Sequence, residues 1–133
     1  MHWQENVHGE SRVYLKDNIV FVKLSGMFND LGAKQFTTEV KRLVLSLGDQ
    51  AFGILIDDLD LEGGTPEAYA ILEEYNQWLN SKPLKAKAMV MTSNAHKEII
   101  NTLSPSRKKQ NIQYFLTEPE AVTWLQSELE SSK

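Results

Sequence analysis

Residues 51–64 have the sequence AFGILIDDLDLEGG, and this stretch decides how the rest of the chain is interpreted. Its first half lacks polar alternation, as strands covered on both faces do, so we predict a buried strand over 51–57. The residues that follow, Thr65-Pro66-Glu67, combine a capping hydroxyl, a proline at the first helical position and an acid in the first turn. A buried strand followed closely by a helix is typical of an α/β fold.

Strand-like and helix-like segments also alternate on the N-terminal side of this stretch. Two β-rich runs, at 12–15 and 19–25, flank the polar residues 16–18, which suit a hairpin turn. Asn29 is placed to cap a helix whose apolar residues recur at helical spacing, and Gly48 is placed to end it.

The same alternation continues towards the C-terminus. After the helix from Pro66, residues 87–92 predict a strand, and a third helix begins near Asn94 and either stops before Ser104-Pro105 or kinks there. A short strand over 112–116 precedes Thr117-x-x-Glu120, a capping box that opens a final helix. The predicted order of elements is therefore β-β-α-β-α-β-α-β-α.

Length and composition indicate one globular domain over residues 1–133, with 1–11 as a loosely ordered N-terminal segment. The 133 residues suffice for a core of their own, and 41% apolar with 24% charged residues are ordinary globular values. The chain has no cysteine, which excludes disulfides, thiolate zinc sites and a cysteine nucleophile.

Charge and hydropathy exclude two classes of partner. A net charge of −4 argues against nucleic acid, whose binding needs dense lysine and arginine. The basic run Arg107-Lys108-Lys109 is interpreted as a solvated helix end. No apolar run approaches the roughly 18 residues of a membrane span, and the N-terminus has no signal-peptide pattern. We therefore expect a cytoplasmic protein without stable membrane insertion.

The sequence carries no recognisable catalytic machinery. It contains no nucleophile elbow, phosphate loop or dinucleotide fingerprint, and Gly63-Gly64 lacks the lysine of a phosphate cradle, so we interpret the pair as a flexible turn. We expect no enzyme, no cofactor and no metal. An enzyme would have to use the acids at 57, 58 and 60 for acid–base work. The histidines are scattered and lie at His2, His8 and His96.

The acids after the buried strand are the most suggestive local feature. They follow the carboxyl end of a central strand, where open α/β sheets bind ligands. The spacing of Asp58, Asp60 and Glu62 imitates the first half of a calcium loop, but Tyr69 stands where the bidentate glutamate would be. We interpret this stretch as a solvated acidic loop.

In order and spacing, the segments over 13–129 resemble the STAS domain, named for sulphate transporters and anti-sigma-factor antagonists. Residues 19–26, IVFVKLSG, resemble the opening strand of the family, and 54–57, ILID, resemble its central strand. The tail is similar to the ending of the SpoIIAA-like branch at Tyr114-Phe115, Glu120-Ala121 and Trp124-Leu125.

This resemblance implies a mixed, mostly parallel sheet of about five strands flanked by four helices. It also implies that the start of the second helix is the regulatory surface. In anti-sigma-factor antagonists that surface holds an Asp-Ser-Ser-Gly type motif, whose serine a partner kinase phosphorylates. Here the corresponding residues 62–67 are EGGTPE, so the serines are missing and Thr65 is the candidate for phosphorylation.

Our first functional hypothesis is a non-enzymatic regulatory module that binds another protein, with homodimerisation through an edge strand at 12–15 as a variant. The predicted contact residues, at the start of the second helix and in the preceding loop, are Asp58, Asp60, Glu62, Gly63, Gly64, Thr65 and Glu67. The alternative is a carrier of a small ligand or lipid. Its apolar cavity between helices would be lined by Phe36, Tyr69, Tyr75 and Trp78.

Overall fold

The structure is a computed structural model that describes residues 7–131. His2 and most of the N-terminal segment for which we expected loose order lie outside the described residues. The first strand begins at Glu10.

Within residues 7–131, ten elements follow one another. They are β1 (Glu10–Lys16), β2 (Ile19–Phe28), α1 (Asp30–Ser46), β3 (Phe52–Gly64), α2 (Pro66–Leu79), β4 (Leu84–Val90), α3 (Asn94–Leu103), a short 3-10 helix (Pro105–Lys109), β5 (Ile112–Phe115) and α4 (Glu118–Glu130). The strands lie in the order β1-β2-β3-β4-β5; β1 is antiparallel to β2 and the other pairs are parallel. The predicted order and the mixed, mostly parallel sheet are confirmed.

Local sequence signals account for several element ends. Asp17 and Asn18 adopt positive φ angles of 53° and 63° in the β1–β2 hairpin, a conformation that short polar side chains tolerate. The Asn29 side chain caps α1 by accepting from the Gly32 N–H at 2.9 Å. The Thr65 hydroxyl caps α2 by accepting from the Ala68 N–H at 3.2 Å. These three predictions are confirmed.

The sheet is covered on both faces. Helices α1, α2 and α3 pack on one face, and α4 packs on the other. Central residues of the first core are Val22, Leu24, Phe36, Val40, Ile54, Ile56, Tyr75, Leu79, Met89 and Ile100. The core under α4 consists of Ile19, Phe21, Leu55, Ala86, Ala88, Val90, Ala121 and Leu125.

Some predicted details are wrong. Strand β3 continues through Gly64, so the predicted loop after residue 57 is strand, and Gly63-Gly64 is its end rather than a flexible turn. Strand β4 begins at Leu84, three residues before the predicted start. Thr117 does not cap α4 with its side chain; its hydroxyl donates instead to Glu120 Oε1 at 2.8 Å.

Within residues 7–131, no helix combines the length and the hydrophobicity that crossing a bilayer requires.

Candidate functional site

Asp58 of β3 faces the interior. Side chains alternate along the strand, so Asp58 lies on the same face as the core residue Ile56, and the exposed fraction of its surface is 5%. A β-bulge comes directly after it: Lys23 of β2 pairs with Asp57, whereas Ser25 pairs with Asp60, so Asp58 and Leu59 together face one residue of β2. Such a bulge inserts one residue and re-aims the side chains that follow. The prediction that Asp58 belongs to a solvated loop is wrong.

Lys87 of β4 points to the same face. Its neighbours Ala86 and Ala88 face α4, so the alternation of the strand directs the lysine into the core under α2, where it is 3% exposed. Its Nζ donates to the Asn76 Oδ1 of α2 at 2.8 Å and lies 5.8 Å from the centroid of the Tyr75 ring. A lysine inside the sheet therefore has one neutral hydrogen-bond partner among the described residues.

Arg107 brings a second buried cation from the 3-10 helix. It is 4% exposed, donates through Nη1 to Asn101 Oδ1 at 2.7 Å and through Nη2 to Tyr114 Oη at 3.3 Å. The interpretation of residues 107–109 as a solvated helix end is therefore wrong for Arg107, although Lys108 and Lys109 are exposed.

Glu73 of α2 holds the 3-10 helix that carries Arg107. Its carboxylate accepts from Ser104 Oγ at 3.0 Å, from Ser106 N at 3.1 Å, from Ser106 Oγ and from Gln77 Nε2 at 2.8 Å. Burial alone would raise the pKa of Glu73, but hydrogen bonds from Ser106, Gln77 and Ser104 outweigh it and lower the pKa to about 2. The ionised carboxylate thus ties α2 to the segment after α3.

These buried groups surround a cavity of about 70 Å³ between the sheet and the helices, which we name the inner cavity. Its walls are mostly apolar. They include Leu24, Phe28, Phe36, Ile56, Leu61, Tyr69, Leu72, Met89 and Ile100, and its polar lining comes from Asp58, Tyr75, Asn76, Lys87 and Arg107. Of the residues that we expected around an apolar cavity, Phe36, Tyr69 and Tyr75 line it. Trp78 lies elsewhere, between the ammonium groups of Lys41 and Lys82.

The titrating groups of the inner cavity are shifted by burial. Burial raises the pKa of Asp58 to about 7; Arg107 and Lys87 oppose this rise and Asp57 adds to it. Burial lowers the pKa of Lys87 well below its ordinary value, and the nearby Arg107 lowers it further, while Asp58 acts in the opposite direction. Burial therefore favours the neutral forms of Asp58 and Lys87.

Two polar atoms of the inner cavity have no hydrogen-bond partner in the part of the chain that the structure describes. They are Asp58 Oδ1 and the hydroxyl of Tyr75, which is itself 2% exposed. Buried polar atoms are nearly always paired, and leaving one unpaired costs about 1–3 kcal/mol. Both atoms lie on residues that line the cavity, so a molecule inside the cavity would be their natural partner.

A second concavity lies on the surface in front of α2, and we name it the α2 groove. It is lined by Met27, Glu62, Gly63, Gly64, Pro66, Tyr69, Ser93, Ala95, His96, Ile99 and Leu103. Three of its apolar side chains are exposed: Met27 by 52%, Ile99 by 46% and Leu103 by 45%. Gly63 has φ +146°, a conformation that favours glycine, and with Gly64 and Tyr69 it separates the groove from the inner cavity.

The predicted contact residues fall into two groups. Asp60, Glu62 and Glu67 are exposed; Glu62 lines the α2 groove, and Asp60 Oδ2 lies 3.9 Å from Lys23 Nζ. Gly63, Gly64 and Thr65 are half-buried at the end of β3 and the start of α2. Of the predicted side chains, that of Asp58 alone faces the inner cavity. Between residues 7 and 131, no group of three histidines or acids is arranged to hold a metal ion.

Sequence reasoning missed the cationic side of the inner cavity. One signal was present: Lys87 places a charge at an inward position of β4, which is unusual for a strand buried on both faces. Asn76 likewise interrupts the inward stripe of α2. For Arg107 no local signal exists, because its burial depends on how the 3-10 helix docks on α2.

Comparison with solved structures identifies the fold. A serine-to-glutamate variant of RsbS from Moorella thermoacetica superposes with a TM-score of 0.68 at 14% identity, over 89% of this chain and 96% of that chain. A protein of the DUF3478 family with a SpoIIAA-like fold, from Shewanella loihica PV-4, gives 0.66 at 17% identity, over 90% and 96%. An anti-sigma factor antagonist from Mycobacterium paratuberculosis gives 0.62 at 17%, over 89% and 94%.

The chain therefore has the SpoIIAA-like fold of STAS domains, as the resemblance in its sequence implied. No protein-family model matches the sequence, and no curated protein matches it. At these identities the similarity concerns the fold.

Proposed function

We propose that this protein is a non-enzymatic, single-domain regulatory module that binds another protein through the α2 groove. The observation that carries the proposal is the exposure of Met27, Ile99 and Leu103 around one concave surface at the start of α2. Contiguous apolar surface of this kind marks sites of interaction with other proteins. The groove coincides with the helix start that the STAS resemblance designates as the regulatory surface.

An acidic rim defines the chemistry of the partner. Glu62 and Glu67 are exposed beside the groove and form no salt bridge with any described residue, so their charges are available to a partner. We therefore propose that the partner segment carries apolar side chains for the groove and lysine or arginine residues for its rim. Charge pairs of this kind at a rim mainly accelerate association and select the partner.

The fold supports a regulatory role of this kind, because two structural neighbours are named as anti-sigma factor antagonists. Phosphorylation of Thr65 stays a prediction. Its hydroxyl caps α2, and a phosphate there would meet the free amides of the helix start but also the charges of Glu62 and Glu67. Homodimerisation through β1, which is an edge strand, and a cytoplasmic location also stay predictions.

A matched pair of variants tests the proposal. Ile99→Asp places a charge in the groove, whereas Leu45→Asp makes the same change on α1, where Leu45 is 61% exposed and lies outside the groove. Quantitative affinity capture from native extract should recover a protein with the wild type and with Leu45→Asp but not with Ile99→Asp. The purified partner should then bind with a Kd that weakens as salt rises.

Charge reversal supplies an independent measurement. The double variant Glu62→Lys, Glu67→Lys should slow association with the purified partner by about tenfold or more, because rim charges act mainly on the association rate. If every captured protein binds Ile99→Asp as well as it binds Leu45→Asp, the groove is not the binding surface.

A further inference from the structure

The groups without partners in the inner cavity are hydrogen-bond donors. The ammonium of Lys87 has three donors and makes one hydrogen bond within residues 7–131, to Asn76. The Tyr75 hydroxyl has a donor and no partner in the same range. Because burial raises the pKa of Asp58 to about 7, its carboxyl keeps a proton below about pH 7 and can then donate it in a hydrogen bond. A ligand that supplies acceptors would therefore pair the unpaired groups in the described part of the cavity.

The charges of the inner cavity point to the same conclusion. Lys87 and Arg107 are basic, and Asp58 is the one acid among the described residues that line the cavity. With Asp58 protonated, a ligand with a single negative charge would offset one of the two cations, whereas an ammonium ligand would be repelled by both. A carboxylate offers two oxygens with about four acceptor sites, which matches the donors of Lys87, Tyr75 and Asp58.

Size and lining restrict the rest of the ligand. The cavity measures about 70 Å³, and Leu24, Phe36 and Met89 contribute apolar wall. An engineered apolar cavity of roughly 150 Å³ in another protein admits benzene, so this smaller cavity suits a ligand no larger than about acetate. The volume is too small for a lipid chain.

We propose that the inner cavity is a binding site for a small monocarboxylate. Its oxygens accept hydrogen bonds from Lys87 Nζ, the Tyr75 hydroxyl and the Asp58 carboxyl, and its small apolar part packs against Leu24, Phe36 and Met89. Entry is from the side of Tyr69, which lines both the cavity and the α2 groove. The site lies behind the surface proposed for the protein partner and is independent of it.

A titration with three ligands of equal chain length tests the chemistry of the site. Acetate, ethanol and ethylamine are added to the ¹⁵N-labelled full chain, and amide shifts of residues around the cavity are followed by NMR. We expect saturable shifts with acetate at a Kd of about 1 mM or tighter, and binding at least about tenfold weaker for the alcohol and the amine. Equal binding of all three, or preference for the amine, would overturn the proposal.

Internal water is the competing occupant. A buried water needs about 10–15 Å³, so a few waters fill the cavity and satisfy the same donors. If acetate causes no saturable shifts, the cavity holds water alone and the carboxylate site does not exist.

Two variants locate the contacts. Tyr75→Phe and Lys87→Met should each weaken acetate binding by about tenfold or more, since each removes a donor to a charged group. Lys85→Met is the matched control, because Lys85 lies on the same strand outside the cavity, and it should bind as the wild type does. If Lys87→Met does not fold, Tyr75→Phe decides. Acetate binding that neither donor variant weakens would refute the site. The groove variant Ile99→Asp should leave acetate binding unchanged, so the two proposals can fail separately.

Discussion

The two faces of the sheet are packed by different means. Under α4, the core consists of alanine and branched or aromatic side chains, and no ionisable side chain of the described residues is part of it. Under α1 to α3, the core surrounds a cavity with a carboxyl, an ammonium and a guanidinium. Strand β4 contributes to both, because its alanines face α4 while Lys87 faces the cavity. Close packing stabilises the face under α4. The face under α1 to α3 is less stabilising, because it buries charged groups around a cavity.

Truncation of Leu125 on the close-packed face should lower the free energy of unfolding most. Leu125 is fully buried, and its Cδ2 lies against Gly53, where an added Cβ would be 3.1 Å away. We expect Leu125→Ala to lower the free energy of unfolding by about 3 kcal/mol, since the rigid strands cannot close the space. Urea unfolding measures this, with the exposed neighbour Gln126→Ala as control. A loss below about 1 kcal/mol would show that this face is loosely packed.

On the cavity face, the buried titrating groups should make the free energy of unfolding depend on pH. The pKa of Asp58 is raised from 3.8 to about 7 in the folded protein, so between these values the folded state keeps a proton that the unfolded chain releases. Asp58 therefore lowers stability as pH rises, by on the order of 2 kcal/mol from pH 5 to 8. Asp58→Asn should remove this slope in urea unfolding series, and the exposed Asp60→Asn should keep it. Identical slopes in all three proteins would contradict the burial of a titrating Asp58.

The hydrogen bonds that attach the 3-10 helix to Glu73 should contribute less to stability than the Asp58 effect. Their contribution should decrease as pH falls, which is opposite to the pH dependence from Asp58. The pKa of Glu73 is lowered to about 2, below the 4.5 of the unfolded chain, so its contribution is present above pH 4.5 and is lost as pH falls through 2. We expect Glu73→Gln to lower the free energy of unfolding by about 1 kcal/mol at pH 7 and by less at pH 3. The exposed neighbour Glu74→Gln should have no such effect. A constant loss at both pH values would argue against an ionised clamp.

Replacing the buried ammonium should change stability least. Lys87→Met keeps the length of the side chain and removes a charge whose burial is unfavourable, while Asn76 Oδ1 still accepts from Gln110 Nε2 at 3.2 Å. We expect the free energy of unfolding to stay equal or to rise by less than about 1 kcal/mol. Chemical denaturation at pH 7 measures the change, with Lys85→Met as control. A marked loss of stability would mean that Lys87 is needed for the fold.

The comparison of faces also explains what the sequence could predict. Caps at Asn29 and Thr65 and the hairpin at Asp17-Asn18 were predictable, because each depends on side chains within a few residues of the backbone groups that they serve. The same holds for the order of elements, which follows from hydrophobic periodicity.

The inner cavity was not predictable in the same way. The burial of Arg107 depends on Glu73, a full helix and strand earlier in the chain, so propensity and spacing carry no information about it. The direction of Asp58 follows from the alternation of Ile54 and Ile56, but the strand was predicted to end at residue 57. Lys87 was a second local signal, since a charge at an inward strand position predicts a polar site wherever the sheet is covered.

The bulge at Asp58 and Leu59 reconciles two inward side chains with an odd spacing in the sequence. Side chains alternate along a strand, so Asp58 and Leu61, three residues apart, would face opposite sides of a regular strand, whereas the bulge directs both to the cavity. Deletion of Leu59 would make the pairing with β2 regular and leave both orientations unchanged. The length of the chain can therefore vary at this point without a change in the chemistry of the compartment behind it.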